Sequence, residues 1–138
     1  MNNENREKII NEAWENKNLL SDNSVKECIN SIIKDLDDGK LRIVTNSSNK
    51  WQVQEWIKKA VILYFPTQKM EVIKAGELQF YDKMKLKSNF KELGVRVVPH
   101  AIARFGAFLA RGVIMMPSYV NIGAYVDEGT MIDTWATV

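Results

Sequence analysis

Two groups of residues in the sequence could carry out chemistry, a lone cysteine and three alternating lysines. Cys28 lies on an apolar stripe that a predicted helix would bury, and the sequence supplies no nearby base to activate its thiol. We therefore expect a small core residue rather than a nucleophile. A single cysteine cannot form an internal disulfide, which agrees with a reducing compartment.

The lysines, Lys83, Lys85 and Lys87, stand at alternate positions of a possible strand. Such a run usually forms a solvated strand face, although it could also attract an anionic ligand, and we favour the solvated face. The whole chain carries 19 basic and 17 acidic residues, so its net charge of +2 gives no argument for nucleic-acid binding.

The elements that would position a site are indicated by a six-residue repeat over residues 102–138. A helix repeats near 3.6 residues and a strand near 2, so neither has this period. We expect hexapeptide repeats of a β-helix, in which each hexad forms one flat face, a large residue fills the interior and a small residue sits at the corner. The predicted interior residues are Ile102, Phe108, Ile114, Val120, Val126, Ile132 and Val138, and the predicted corner residues are Gly106, Gly112, Ser118, Ala124, Thr130 and Ala136.

Two helices are predicted at the start of the chain. The first spans about residues 5–20. The second has capping-box spacing at Ser24 and Glu27, and Gly39 stands where a C-terminal cap belongs. Its apolar stripe consists of Val25, Cys28, Ile29, Ile32, Ile33 and Leu36.

Short strands are expected at residues 41–45 and 51–54, followed by a helix at 55–65 that Pro66 stops, a strand at 70–74, and another at 94–98 closed by Pro99. Trp14, Trp51 and Trp56 are expected in the core. The whole is typical of an α/β cap, residues 1–95, that covers the first edge of the coils at residues 96–138. The polar N-terminus and the short apolar runs favour a soluble intracellular protein.

The run MPSYVNIGAYVDEGTMIDTWATV at residues 116–138 resembles the first coils of the tetrahydrodipicolinate N-succinyltransferases. Upstream pieces agree in order: WQVQEWIKKAVILYF at 51–65, FYDK at 80–83, RVVP at 96–99 and FGAFLARG at 105–112. The resemblance covers nearly the whole chain and is strong after residue 51. It implies a left-handed parallel β-helix of hexapeptide repeats, here truncated, in a cytoplasmic homotrimer.

The resemblance also implies a reaction. Members of this family transfer succinyl from succinyl-CoA to the amine of ring-opened tetrahydrodipicolinate, in lysine and diaminopimelate biosynthesis. Succinyl-CoA is a co-substrate, and no permanently bound cofactor is expected. The coils that would form most of the CoA groove lie beyond the sequence, so no residue is assigned to CoA.

Two site residues are implied by the same resemblance. Arg96 in RVVP matches a substrate-binding arginine, whose guanidinium can pair with a carboxylate through two hydrogen bonds. Asp133 in IDTWATV matches a substrate-binding aspartate that could also accept the proton of the attacking amine. Without the resemblance, Arg96 would be interpreted as a surface ion-pair residue and Asp133 as a polar neighbour of a core isoleucine, a position that Asp127 shares one hexad earlier.

Other interpretations remain open. The single histidine, His100, stands where the family pattern favours a small apolar residue, and it receives no catalytic role. The chain could belong to a hexapeptide-repeat acyltransferase with another acyl donor, or be a non-catalytic fragment that binds a dicarboxylate or full-length chains. A γ-class carbonic anhydrase is disfavoured because one histidine is too few for that metal site.

Overall fold

Helices α1 (Asn3–Glu15), α2 (Asn23–Asp37) and α3 (Glu55–Thr67) pack together in the computed structural model, which describes residues 2–138. A 3₁₀ turn (Lys17–Ser21) joins α1 to α2. The first helix ends earlier than predicted because Asn16 leaves helical geometry and its side chain accepts a hydrogen bond from the Asn18 N–H. The third helix continues past its predicted end, with Pro66 in its last turn.

The α2 stripe is confirmed, while its predicted N-cap is wrong. All six stripe residues are buried, including Cys28. The N-cap is Asp22, whose carboxylate accepts a hydrogen bond 2.8 Å long from the Ser24 N–H. At the other end, Gly39 follows the C-cap with a positive φ of +73°, as expected of a helix-terminating glycine.

Two antiparallel hairpins extend from this helical core. One joins β1 (Val44–Ser47) to β2 (Lys50–Val53), and the other joins β3 (Glu71–Ala75) to β4 (Leu78–Asp82). The first hairpin starts later than predicted, and its turn is shorter. Ser48 and Asn49 both adopt positive φ and close a two-residue turn, so the strands extend into the predicted loop. The expectation of a buried Trp51 is wrong: the side chain lies on β2 and is 70% exposed.

Short parallel strands form the rest of the chain after a helical turn, α4 (Phe90–Leu93). They are β5 (Arg96–Val97), β6 (Ile102–Ala103), β7 (Phe108–Leu109), β8 (Ile114–Met115), β9 (Tyr119–Val120), β10 (Tyr125–Val126) and β11 (Met131–Ile132). Each strand pairs with the third strand along the chain, giving the sheets β5-β8-β11, β6-β9 and β7-β10. This pairing is compatible with the start of a β-helix whose coil has three faces.

The prediction of which residue in each hexad faces the interior is confirmed only in the second half of the repeat. Val120, Val126 and Ile132 are buried, but in the preceding coil the buried residues are Ala103, Leu109 and Met115. Their predicted counterparts Ile102, Phe108 and Ile114 lie one position earlier, are half-buried and face outward. The phase changes because the step from Met115 to Val120 spans five residues instead of six. Val138, the last predicted interior residue, is 47% exposed.

A short segment, residues 85–87, joins the helical part to the first coil. It runs antiparallel to residues 103–105, with the Lys87 N–H donating to the Ala103 carbonyl at 2.8 Å and the Phe105 N–H donating to the Lys85 carbonyl at 2.9 Å. The segment therefore adds a third chain to the β6-β9 sheet and covers its first edge.

The lysine run is only partly the solvated face that we expected. Lys85 is exposed, whereas Lys87 is buried and its Nζ lies 2.7 Å from Asp37 Oδ1. The anionic partner of this lysine is thus a carboxylate of the same chain. Within residues 2–138, no helix is both long and apolar enough to cross a membrane.

Candidate functional site

Arg96 opens β5 on the outward face of the β5-β8-β11 sheet. It is exposed, and its register partners are Ile114 on β8 and then Met131 on β11, which is 61% exposed. The backbone N–H of Arg96 donates to the Val113 carbonyl at 3.0 Å, so the strand fixes the position of its Cα. The guanidinium forms no ion pair with any described residue and is free to meet an anion.

Asp133 follows β11 directly and lies at the corner that ends the same sheet. Its Oδ1 accepts a hydrogen bond 2.7 Å long from the Thr134 N–H, and its carbonyl accepts one from the Ala136 N–H at 3.1 Å. The other carboxylate oxygen has no hydrogen-bond partner among residues 2–138. One oxygen therefore orients the carboxylate, while the other is available to an amine.

Arg96 and Asp133 share one face without touching. Side chains alternate along a strand, so Asp133 points to the same side as Met131, the residue in register with Arg96. Two strand spacings and two residues along the strand separate the Cα atoms by roughly 12 Å. Because the arginine side chain is long, its guanidinium can meet a carboxylate of a ligand whose amine lies against Asp133.

The local hydrogen bond of Asp133 also has a purely structural interpretation. Asp127 makes the same contact with the Glu128 N–H at 2.9 Å, and Asn121 makes it with the Ile122 N–H at 2.9 Å. A polar residue at this phase therefore closes a corner. Since an amide does this at Asn121, corner closure explains a polar side chain at residue 133 but does not require a negative charge.

A cavity that the sequence did not indicate lies at the corner after Asp133, where it is lined by Trp135 and His100. It has a volume of about 180 Å³ and is lined mostly by apolar surface, with the His100 and Trp135 ring centroids 5.7 Å apart at its edge. Trp135 is 76% exposed and has a φ of +61°, which is rare for a bulky side chain. An exposed tryptophan at a corner position is the signal that could have revealed this cavity, but the predicted corner phase placed Ala136 there instead.

The remaining candidate group, Cys28, does not belong to this site. Its thiol is buried in the helical core, where desolvation raises its pKa above the ordinary value, an effect that the nearby Arg6 partly opposes. The thiolate that a nucleophile needs is therefore disfavoured. Across residues 2–138, no cluster of three or more histidine, cysteine or acidic side chains could hold a metal ion.

Comparison with known proteins assigns the family. Residues 5–67 match the family model described as the N-terminal region of tetrahydrodipicolinate N-succinyltransferase. The 2,3,4,5-tetrahydropyridine-2,6-dicarboxylate N-succinyltransferase of Acinetobacter baylyi is 46% identical over 94% of this chain and 51% of its own length. The proteins of the same name from Variovorax paradoxus and Idiomarina loihiensis are 48% and 42% identical over 96% and 98% of the chain, which covers 52% and 53% of them.

The chain thus spans about half the length of these relatives, with strong similarity throughout the part that it covers. The first two helices, where the resemblance in sequence is weakest, lie within the region that the family model matches. We conclude that the chain belongs to the tetrahydrodipicolinate N-succinyltransferase family and corresponds to the N-terminal part of its members.

Proposed function

We propose that the chain is the N-terminal part of an acyltransferase that moves succinyl from succinyl-CoA to the amine of ring-opened tetrahydrodipicolinate. The observation that carries this proposal is the identity of 46% to a curated succinyltransferase over 94% of the chain. The step belongs to lysine and diaminopimelate synthesis. Succinyl-CoA is a co-substrate, and no bound cofactor takes part.

Arg96 and Asp133 have distinct roles in this proposal. Arg96 binds a carboxylate of the substrate through its guanidinium fork, which no ion pair within residues 2–138 occupies. Asp133 holds the amine with its free carboxylate oxygen and takes its proton as nitrogen attacks the thioester carbonyl. The nitrogen forms an amide with the succinyl carbon, and the thiolate of CoA leaves and is protonated.

The architecture of the proposal is a domain of residues 1–95 followed by a left-handed parallel β-helix that starts at residue 96. The antiparallel segment at 85–87 supports a boundary near this point, since it is the last part of the chain before α4 and the coils. We further propose a homotrimer in the cytoplasm, with substrate clefts between neighbouring subunits.

A chimeric enzyme tests the reaction. Residues 1–138 would replace the aligned half of the Acinetobacter baylyi relative, and release of CoA thiol would be followed with the dicarboxylate amine present or absent. We expect amine-dependent turnover that Asp133→Asn lowers by 10²-fold or more, the usual contribution of a positioned base. Asp127→Asn is the matched control, because both variants keep the corner hydrogen bond, as the amide of Asn121 does.

The alternatives are separated by the same assay. Equal losses in the two aspartate variants would leave Asp133 with a structural role only. Turnover with another acyl-CoA in preference to succinyl-CoA would favour a different acyltransferase. A folded chimera without turnover would favour the binding fragment. We expect the purified 138-residue chain not to turn over by itself, and amine-dependent thiol release by that chain would contradict this expectation.

A further inference from the structure

One corner of the coil differs from the other two. The corner residue lies three positions after each interior residue, and at two of the corners it is a glycine with positive φ: Gly106 and Gly123 at one, Gly112 and Gly129 at the other. At the third corner, which follows the β5-β8-β11 sheet, the same position is occupied by His100, Ser118 and Trp135 in successive coils. We call these three residues, His100, Ser118 and Trp135, the aromatic corner.

Trp135 occupies a backbone conformation that costs free energy, and little of its side chain is buried. Its φ of +61° is close to the +69° of Gly129, where a side chain would meet nothing within 4 Å. A residue with a Cβ is strained at this φ, and the indole is 76% exposed, so burial does not compensate the strain. The strained backbone and the exposed indole therefore indicate that the Trp135 side chain has a role outside the core.

The aromatic corner lines the cavity of about 180 Å³. The backbone N–H of Trp135 donates a hydrogen bond 2.7 Å long to the Pro117 carbonyl of the preceding coil, and the indole ring lies against His100. Ser118 turns its hydroxyl to the Met116 carbonyl at 2.6 Å, so it presents no free donor to the cavity. The lining is mostly apolar and contains no carboxylate, lysine or arginine.

We infer that the aromatic corner binds the hydrocarbon chain of the dicarboxylate amine. This inference rests on the proposed function, in which Asp133, two residues before Trp135, holds the amine. A ligand with charged ends needs an uncharged wall for its methylene groups, and an exposed indole offers a large rigid one at little entropic cost. Trp135 and His100 are then specificity residues that select substrates by the length and apolar character of the chain between the carboxylates.

Trp135→Gly in the chimeric enzyme is the decisive variant. Glycine fits the corner, as it does at Gly123 and Gly129, so the midpoint of thermal unfolding should stay the same or rise. We expect KM for the dicarboxylate amine to rise by about tenfold or more, with KM for succinyl-CoA unchanged. Trp51→Gly is the control for loss of an exposed indole at a distant site, and it should leave both constants unchanged.

A binding measurement gives a readout that does not depend on turnover. Titration of the chimera with the dicarboxylate amine alone should shift the tryptophan emission to shorter wavelength as Trp135 is covered, and Trp135→Phe should remove that shift. Titration with succinyl-CoA alone should not produce it. An unchanged KM and an unchanged emission would overturn the inference.

The two proposals fail in different ways. If Asp133→Asn abolishes turnover while Trp135→Gly leaves KM for the amine unchanged, the reaction stands and the aromatic corner is not a subsite. If the parent chimera is folded but neither turns over nor binds the dicarboxylate amine, both proposals fall together.

Discussion

Lys87 Nζ lies 2.7 Å from Asp37 Oδ1, and the same oxygen accepts a hydrogen bond 2.8 Å long from the Gly106 N–H. The lysine comes from the segment before the coils, the aspartate from the end of α2 and the glycine from the first coil. Both charged side chains are largely buried, at 4% and 14% exposure. One carboxylate oxygen thus joins three parts of the chain that are distant in sequence.

Removing one partner of this pair should be costly. Lys87→Met leaves a buried carboxylate with only a backbone donor, and we expect the free energy of unfolding to fall by about 3 kcal/mol. The measurement is urea denaturation followed by circular dichroism. Lys40→Met is the control: Lys40 pairs with Asp38 but is 66% exposed, so its loss should lower the free energy of unfolding much less than the loss of Lys87 does. Similar losses would mean that the buried pair contributes little.

Gly39 should tolerate no side chain, for reasons beyond its backbone conformation. A Cβ there would lie 2.6 to 2.9 Å from three atoms of the Phe108 ring, which is held against Tyr125. Gly39→Ala should therefore lower the free energy of unfolding by about 2 to 4 kcal/mol, through backbone strain and overpacking together.

Gly76→Ala isolates the backbone contribution, since Gly76 has a similar φ of +62° with nothing within 4 Å of its Cβ position. We expect a loss of about 1 kcal/mol for this variant by the same denaturation assay. If both alanine variants lost the same amount, the clash with Phe108 would be relieved by movement of the ring.

Cys28 should react slowly in the folded chain. Burial raises the pKa of its thiol, so the thiolate fraction at a given pH is smaller than for a free cysteine, and reagents reach it only on unfolding. Alkylation followed by mass spectrometry at pH 8 should be much slower in buffer than in 6 M urea, roughly in proportion to the unfolded fraction. Rapid alkylation in buffer would contradict the buried position.

The same pKa shift makes stability depend on pH. The folded state favours the protonated thiol, because burial raises the thiol pKa. The resulting contribution to the free energy of unfolding is fully present below the thiol pKa of the unfolded state, and it is lost as pH rises from that pKa through the higher pKa of the folded state. As pH rises above the ordinary thiol pKa of about 8.5, the free energy of unfolding should fall less steeply in Cys28→Ala than in the parent chain. Parallel slopes would mean that the thiol does not titrate differently in the two states.

Arg42 stacks on Tyr125 with its guanidinium carbon 3.3 Å from the ring centroid. Because the linker after α2 meets the β7-β10 sheet at this point, Arg42→Gln should lower the free energy of unfolding by about 0.5 to 1 kcal/mol. A double-mutant cycle with Tyr125→Leu measures the coupling, which should be of that size. Additive losses in the double variant would show that the stacked geometry contributes no free energy.

The sequence predicted most of the helical core, because α2 carries an uninterrupted apolar stripe and a terminating glycine. It could not place Trp51 or Lys87, since their environment depends on residues far along the chain. Trp51 stands on a hairpin strand where its side chain is 70% exposed, whereas Lys87 faces an aspartate from α2. Neither the exposure of Trp51 nor the ion pair of Lys87 produces a recognisable pattern in the neighbouring sequence.

The short parallel strands are compatible with the predicted coils, but the residues that face inward differ from the prediction in the first half of the repeat. Each strand of the first coil carries two apolar residues in succession, such as Phe108-Leu109 and Ile114-Met115, so apolarity alone does not tell which one faces inward. Arg96 and Asp133 were found by resemblance, and their assigned roles stay predictions. Trp135 was missed because the corner phase was displaced by one residue after Met115.

The five-residue step between Met115 and Val120 also determines which positions are equivalent in a comparison of coils. Val120 pairs with Ala103, and 120 − 103 gives a coil of 17 residues across the step, whereas three six-residue units give 18. The counterpart of Asp133 is therefore the outward Met116, which directly follows β8, not the buried Met115 that a uniform repeat would indicate. A polar residue placed at Met115 because a uniform repeat makes it equivalent to Asp133 would enter the core. An alignment of one coil with the next therefore has to shift by one residue at Pro117.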